Sequence, residues 1–206
     1  MRAHTQETQD TMTPEKAIAF LKEGNERFQN NLKANRNLLQ QVNETSEGQF
    51  PFAAILSCID SRVSAELVFD QGLGDIFSIR IAGNFVNEDI LGSLEFSCKV
   101  AGSKVIVVLG HSSCGAIKGA CDNVQLGNLT NMLEKIQPAV KSVAGNYSDK
   151  SSKNALFVQE VAINNVDLTV KAITEKSTVL KEMVDNNEIK IVGAMYDVTT
   201  GKVTFN

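Results

Sequence analysis

The sequence predicts an α/β fold in which a mostly parallel central sheet is flanked by helices. Three observations carry that reading. Short apolar runs suited to strands buried on both faces alternate with stretches of helical period. The longest wholly apolar runs, such as Val105–Leu109, fall far short of the roughly 20 residues that span a bilayer. The 206 residues, 43% hydrophobic and 21% charged, suffice for one domain with its own core and exclude a disordered chain. A single domain is expected over residues 1–206, with an N-terminal helical arm at 1–48 and an α/β core at 49–206.

The elements follow in order. Residues 1–13 are polar and lack the apolar stretch of a secretory signal. Thr13 is a good N-cap and Pro14 fits a first helical position, so a helix opens there, with Ala17, Phe20, Leu21 and Phe28 on its apolar side. Residues 30–48, rich in Asn, Gln and Glu, read as a connecting arm or helix with little core. Phe52–Ser57 is the first strand, Val63–Phe69 a helix and Ile76–Ile81 a second strand. Ile90–Val100 reads as a helix and Lys104–Leu109 as the strongest strand signal in the chain. A helix begins at Gly115, and two more run over Leu156–Ile173 and Thr178–Asn186. Glu188–Tyr196 is a strand, and Thr199–Lys202 turns into a last short one at Val203–Phe205.

A formal net charge of −4 argues against a dedicated nucleic-acid binder, because phosphate contact rewards a basic surface. With neither a secretory stretch nor a membrane helix expected, the reading is a cytoplasmic protein whose thiols stay reduced. Its four cysteines are Cys58, Cys98, Cys114 and Cys121, and its two histidines are His4 and His111. In such a setting, grouped Cys and His residues read first as metal or catalytic candidates.

Parallel α/β sheets bind ligands beyond the carboxyl ends of their strands. After the first strand comes Ser57-Cys58-Ile59-Asp60-Ser61-Arg62, and after Lys104–Leu109 comes Gly110-His111-Ser112-Ser113-Cys114-Gly115. If the two strands are neighbours, Cys58, His111 and Cys114 converge. Two thiolates and an imidazole make a zinc set that leaves a fourth position open, as catalytic zinc requires. Taken singly, each cysteine reads as a small buried hydrophobe; two such loops, one with the only histidine in the body of the chain, favour the metal. Other thiol chemistries fit worse. Position 64, where a cysteine phosphatase carries Arg, is Ser; no C-x-x-C pair exists; and Ala116 and Ile117 stand where a phosphate loop needs Lys and Ser or Thr. Cys98 and Cys121 match no motif and read as packing thiols.

C-x-D-S-R at Cys58–Arg62 together with H-x-x-C at His111–Cys114 resembles the signature of the β-class carbonic anhydrases. Gly24-Asn25-Glu26-Arg27-Phe28 is similar to that family's G-N-x-R-F, Gly48-Gln49 to its G-Q-x-P segment, Arg80–Asn84 to R-N-A-G-N, and Gly193–Asp197 to the closing G-x-x-Y-D strand. The resemblance implies zinc-dependent reversible hydration of carbon dioxide to bicarbonate and a proton. It assigns Cys58, His111 and Cys114 as ligands of one zinc per chain. Asp60 and Arg62 become a catalytic dyad in which Arg holds Asp off the metal and Asp accepts a hydrogen bond from the reacting water. Gln49, Phe77 and Gly115 fall where the family binds substrate, partly from a neighbouring subunit, and Phe96 where some members carry a pocket Tyr. It further implies a homodimer or homotetramer with the N-terminal helix across the partner, and neither nucleic acid nor membrane as a partner.

Overall fold

The computed structural model describes residues 1–206. Helices α1 (Gln6–Asp10), α2 (Pro14–Gln29) and α3 (Leu38–Glu44) precede strand β1 (Ala53–Ser57). Then follow α4 (Ala65–Val68), β2 (Ile76–Arg80), α5 (Glu88–Glu95), β3 (Val105–His111) and α6 (Gly115–Cys121). Helices α7 (Gly127–Glu134), α8 (Gln137–Val143), α9 (Ala155–Lys176) and α10 (Thr178–Asp185) lead to β4 (Lys190–Tyr196) and β5 (Val203–Phe205). The strand order is β2-β1-β3-β4-β5, parallel throughout except for β5, which runs antiparallel to β4. No helix is long and apolar enough to cross a membrane.

The apolar runs become central strands because helices cover both faces of the sheet. Along β1, Ala53 and Ile55 join Leu21, Phe69 and Val107 on the α2 and α4 side, while Ala54 and Leu56 join Leu94, Val108, Val166 and Leu180 on the other. All five residues of β1 and all seven of β3 are buried. A third apolar cluster lies beyond the carboxyl ends of these strands. There Ile117, Ile136, Phe157 and Val161 pack around Cys58 and Cys114.

One expected boundary shifts, and two stretches without an individually assigned element hold helices. Residues 1–13 hold a short helix, α1, whose N-cap Thr5 and N3 residue Thr8 form a reciprocal capping box. This polar segment packs on its own subunit. Gln9 is buried and donates to the carbonyls of Pro51 and Ala101, at 2.8 Å each. The helix expected over Ile90–Val100 begins earlier, at Glu88, and its last turn, Phe96–Val100, is a π-turn. Helices α7 and α8 lie in a stretch with no element assigned from sequence, although its apolar residues recur at helical spacing: Leu133, Ile136, Ala139 and Val143 are buried, and Leu129, Met132 and Val140 pack beside them.

The G-N-x-R-F segment is an anchor. A Cβ on Gly24 would lie 1.8 Å from the Phe69 carbonyl oxygen, so only glycine lets α2 approach this closely. Arg27 pairs with the buried Asp70, which Arg36 holds from the other side at 2.7 Å. Asn25 is buried; its amide donates to Val68 O (3.0 Å) and Gly201 O (2.9 Å) and accepts from Val203 N–H (2.8 Å). Truncation would orphan these groups, at about 1 kcal/mol or more apiece. Asn25→Ala should therefore destabilise the fold by about 2–4 kcal/mol, read as a lowered urea midpoint at unchanged m-value. A midpoint equal to wild type would mean that Asn25 does not bear on stability.

Candidate metal centre

β1 and β3 are parallel neighbours with Ser57 opposite Leu109, so the loops after them leave the sheet side by side. Cys58 is the first residue beyond β1 and His111 the last residue of β3. Ser113 adopts φ 57°, the left-handed region, and this swings the chain back so that Cys114 can cap α6 beside His111. The result is one cluster: Cys58 Sγ, His111 and Cys114 Sγ offer ligand atoms all within 4.8 Å of one another, and each residue is at most 3% exposed.

The cluster fits a zinc ion on three counts. The sulfurs of Cys58 and Cys114 are 3.9 Å apart. Tetrahedral zinc with bonds of about 2.3 Å spaces two thiolates by about 3.8 Å, whereas a disulfide needs about 2.05 Å. His111 Nδ1 lies 2.9 Å from the carbonyl oxygen of Ser112, which can only accept, so Nδ1 carries the proton and Nε2 is the bare nitrogen. That Nε2 is buried with no hydrogen-bond partner. Finally, the thiols split in acidity. Contact with Cys114 holds Cys58 far below the usual thiol range, and the same contact with Cys58, reinforced by burial, drives Cys114 far above it. Two adjacent buried thiolates repel, and a divalent cation is what allows both to ionise.

Around the cluster stand groups that fix it. Gly83 N–H points at Cys58 Sγ at 3.5 Å, and Gly83 O is held by the buried amide of Asn165 on α9 at 2.8 Å. Gly83 needs φ +82°, and a Cβ there would meet Ile136 at 2.5 Å. Arg80 donates to the carbonyls of Cys58 (3.0 Å) and Asp60 (2.7 Å), clamping the loop after β1. Asp60 takes a two-pronged grip from Arg62: Oδ1 accepts from Nε at 2.9 Å and Oδ2 from Nη2 at 2.8 Å. Arg62 thereby holds the Asp60 carboxyl well below the usual carboxylate range, despite partial burial. The free edge of Asp60 faces the cluster, with Oδ2 4.0 Å from His111 Nε2, too far for a hydrogen bond.

The other expected site residues sit apart from the cluster or beside it. Gly115 is exposed at the start of α6, with open space where a side chain would be. Gln49 is exposed before the amino end of β1, at the opposite end from Cys58. Phe77 pairs with Ala54 low on β2, about 10 Å along the strand from Arg80, and stacks edge-on against Phe96 at 6.2 Å. Cys98 is a core thiol pushed up to about 12 by burial. Sequence reading missed the contacts of Asn165 and Ser112, which no local pattern betrays. Arg80 and Gly83, by contrast, stood inside a motif already singled out.

A family model described as carbonic anhydrase matches residues 53–203. Carbonic anhydrase 2 of Mycobacterium tuberculosis is 36% identical over 197 residues, covering 92% of this chain and 91% of that protein. Among solved structures, a β-carbonic anhydrase of Aspergillus fumigatus superposes with TM-score 0.73 at 26% identity, over 93% of this chain and 89% of that one. One of two tetrameric β-carbonic anhydrases of Sordaria macrospora gives 0.72 at 22% identity, over 79% and 84%.

Proposed function

The chain belongs to the β-class carbonic anhydrase family and is an enzyme of reversible carbon dioxide hydration; from that premise we propose how its own residues divide the work. Cys58, His111 and Cys114 hold one zinc ion. The observation that carries this is the buried, unpartnered His111 Nε2 facing two thiols at zinc spacing. When bound, zinc supplies Lewis acidity that brings the pKa of water toward neutrality.

Asp60 then orients the reacting water. Its carboxylate is pinned by Arg62, so one oxygen edge is spoken for and the other is free to accept a hydrogen bond from that water. This aims the oxygen lone pair at the carbon of the substrate. Because Arg62 keeps Asp60 ionised, its oxygens accept a hydrogen bond without retaining the proton.

Gln49, Phe77 and Gly115 complete the substrate pocket, the first two from a neighbouring copy. Support comes from the distance of Gln49 and Phe77 from the cluster of their own chain and from the exposed aromatic beside Phe77, with Phe96 at 50% exposure. A homodimer or homotetramer follows; the Sordaria macrospora relatives are tetrameric. Free thiols and a thiol metal centre suit the reducing cytoplasm.

Three outcomes test the reading. Cys114→Ser should lose most of the single zinc found per wild-type chain by elemental analysis, along with carbon dioxide hydration. Wild-type zinc content would remove Cys114 from the ligand set. Asp60→Asn should keep its zinc yet fall at least a hundredfold in kcat, since an amide that satisfies Arg62 no longer presents two acceptor oxygens; unchanged turnover would make the pair structural.

The third outcome concerns the proton that each hydration releases. His111 is engaged in the cluster. His4 packs at the other end of the sheet, its ring 5.2 Å from that of Phe52, and burial lowers its pKa. Burial pushes Tyr196 upward, away from neutrality. Buffer must therefore carry the proton away. In stopped-flow assays at saturating carbon dioxide, turnover should rise with buffer concentration, and His4→Ala should leave that dependence unchanged. Turnover already maximal at the lowest buffer concentration would reveal an internal relay.

A further inference from the structure

Ser112 lies between two assigned metal ligands, and every polar group it owns is engaged. Its N–H donates to Tyr196 O at 2.9 Å, extending the β3–β4 ladder past His111. Its hydroxyl oxygen accepts from Val198 N–H at 3.0 Å, and the hydroxyl faces Asp197 Oδ1 at 3.4 Å. Its carbonyl accepts from His111 Nδ1 at 2.9 Å. Asp197 is itself fixed: Oδ1 accepts from Thr199 N–H at 2.8 Å, its N–H donates to Lys202 O at 2.9 Å, and its carbonyl accepts from Gly201 N–H at 2.8 Å. Asn25 grips the same turn through Gly201 O and Val203 N–H.

We propose that Ser112 is a positioning residue for His111. Latched by its hydroxyl and N–H to the Tyr196–Val198 segment, it holds its carbonyl on Nδ1 and so fixes the ring plane and the tautomer that presents Nε2 to the metal. A ring held by a backbone carbonyl depends on where that carbonyl stands. The next residue, Ser113, is in the left-handed region, so the peptide between them also sets the return of the chain to Cys114. Without the hydroxyl, Val198 N–H loses its acceptor and the carbonyl is held by one strand-end hydrogen bond alone. Groups that orient metal ligands in this way are worth about ten- to a hundredfold in metal affinity or activity.

The inference rests on the zinc reading above and is tested on metal rather than on turnover alone. Zinc affinity is measured by competition with a chromogenic chelator, and the visible spectrum of the cobalt(II)-substituted protein reports ligand geometry. Ser112→Ala should bind zinc about ten- to a hundredfold more weakly and shift the cobalt bands, while Ser112→Thr, which keeps the hydroxyl, restores both. Wild-type affinity together with a wild-type cobalt spectrum in folded Ser112→Ala would overturn the role. Should that variant not fold, nitrogen-resolved NMR of zinc-loaded wild type decides: a slowly exchanging Nδ1–H on His111 supports the latch, and its absence overturns it. Wild type that takes up no zinc would instead defeat the zinc reading itself.

Discussion

Ser57 stands opposite Leu109 in the parallel pairing of β1 with β3, and this register decides where the ligand-bearing loops emerge. A slip of one residue would turn every β1 side chain to the wrong face and part Cys58 from His111. With both faces buried, polar alternation cannot set the register. Contacts at the amino ends do so. Phe52 N–H donates to Asp75 O and Lys104 N–H to Phe52 O, at 2.9 Å each. Gln9 ties Pro51 to Ala101, the segments entering β1 and β3, and Ser103 adds a contact to the same Pro51 carbonyl. The N-terminal segment thus staples together the two strands whose far ends carry the chemistry.

At those far ends the molecule accepts an electrostatic problem that its apolar surroundings make severe. Two thiols and an imidazole sit among Ile117, Ile136 and Phe157, where charge is costly. Water cannot relieve it, because all three residues are buried. Relief within the chain is modest: Gly83 N–H offers Cys58 one partner, and the Asp60–Arg62 pair is nearly neutral as a unit. Under the proposed zinc assignment, a dication balances the cluster. The same apolar walls that penalise bare thiolates suit carbon dioxide, a substrate with little to offer a polar pocket.

The mostly parallel sheet and the meeting of Cys58, His111 and Cys114 were legible because they follow from general rules: buried apolar runs, strand–helix alternation, and ligands at carboxyl ends. The strands at 53–57, 76–80, 105–111 and 190–196 lie within about two residues of their expected limits. What was illegible is contact between distant segments. Nothing in Gln-Glu-Thr-Gln-Asp announces that Gln9 will be buried between two carbonyls. Residues 127–143, by contrast, do carry a readable helical period in Leu129, Met132, Leu133, Ile136, Val140 and Val143, with Pro138 inside the first turn of α8. Asn165 reads as one polar residue on a long helix until the Gly83 carbonyl is placed against it. Motif residues were easy to find and harder to sort: Gly24, Asn25 and Arg27 hold the fold together, whereas Cys58 and His111 face chemistry.

That sorting separates the two ends of the sheet. The amino end carries the N-terminal segment, with His4 against Phe52 and Gln9 between the strand entries; the carboxyl end carries the cluster. Asn25 and Asp197 link α2 and the β4–β5 turn to the cluster end, so the G-N-x-R-F and Y-D motifs, 173 residues apart by their first and last members, meet in one anchored turn beside His111. Gln49 and Phe77 remain on the wrong side of this division to serve their own cluster, although β2 holds Phe77 in place. Rigid placement far from the site is poor design for a pocket residue of the same chain and good design for one offered to a neighbour. The exposed Phe96 against Phe77 has the same logic, since an aromatic left half in water gains most by being covered. Under the proposed assembly, the fold supplies the metal centre complete and leaves the apolar wall of the pocket to a second copy.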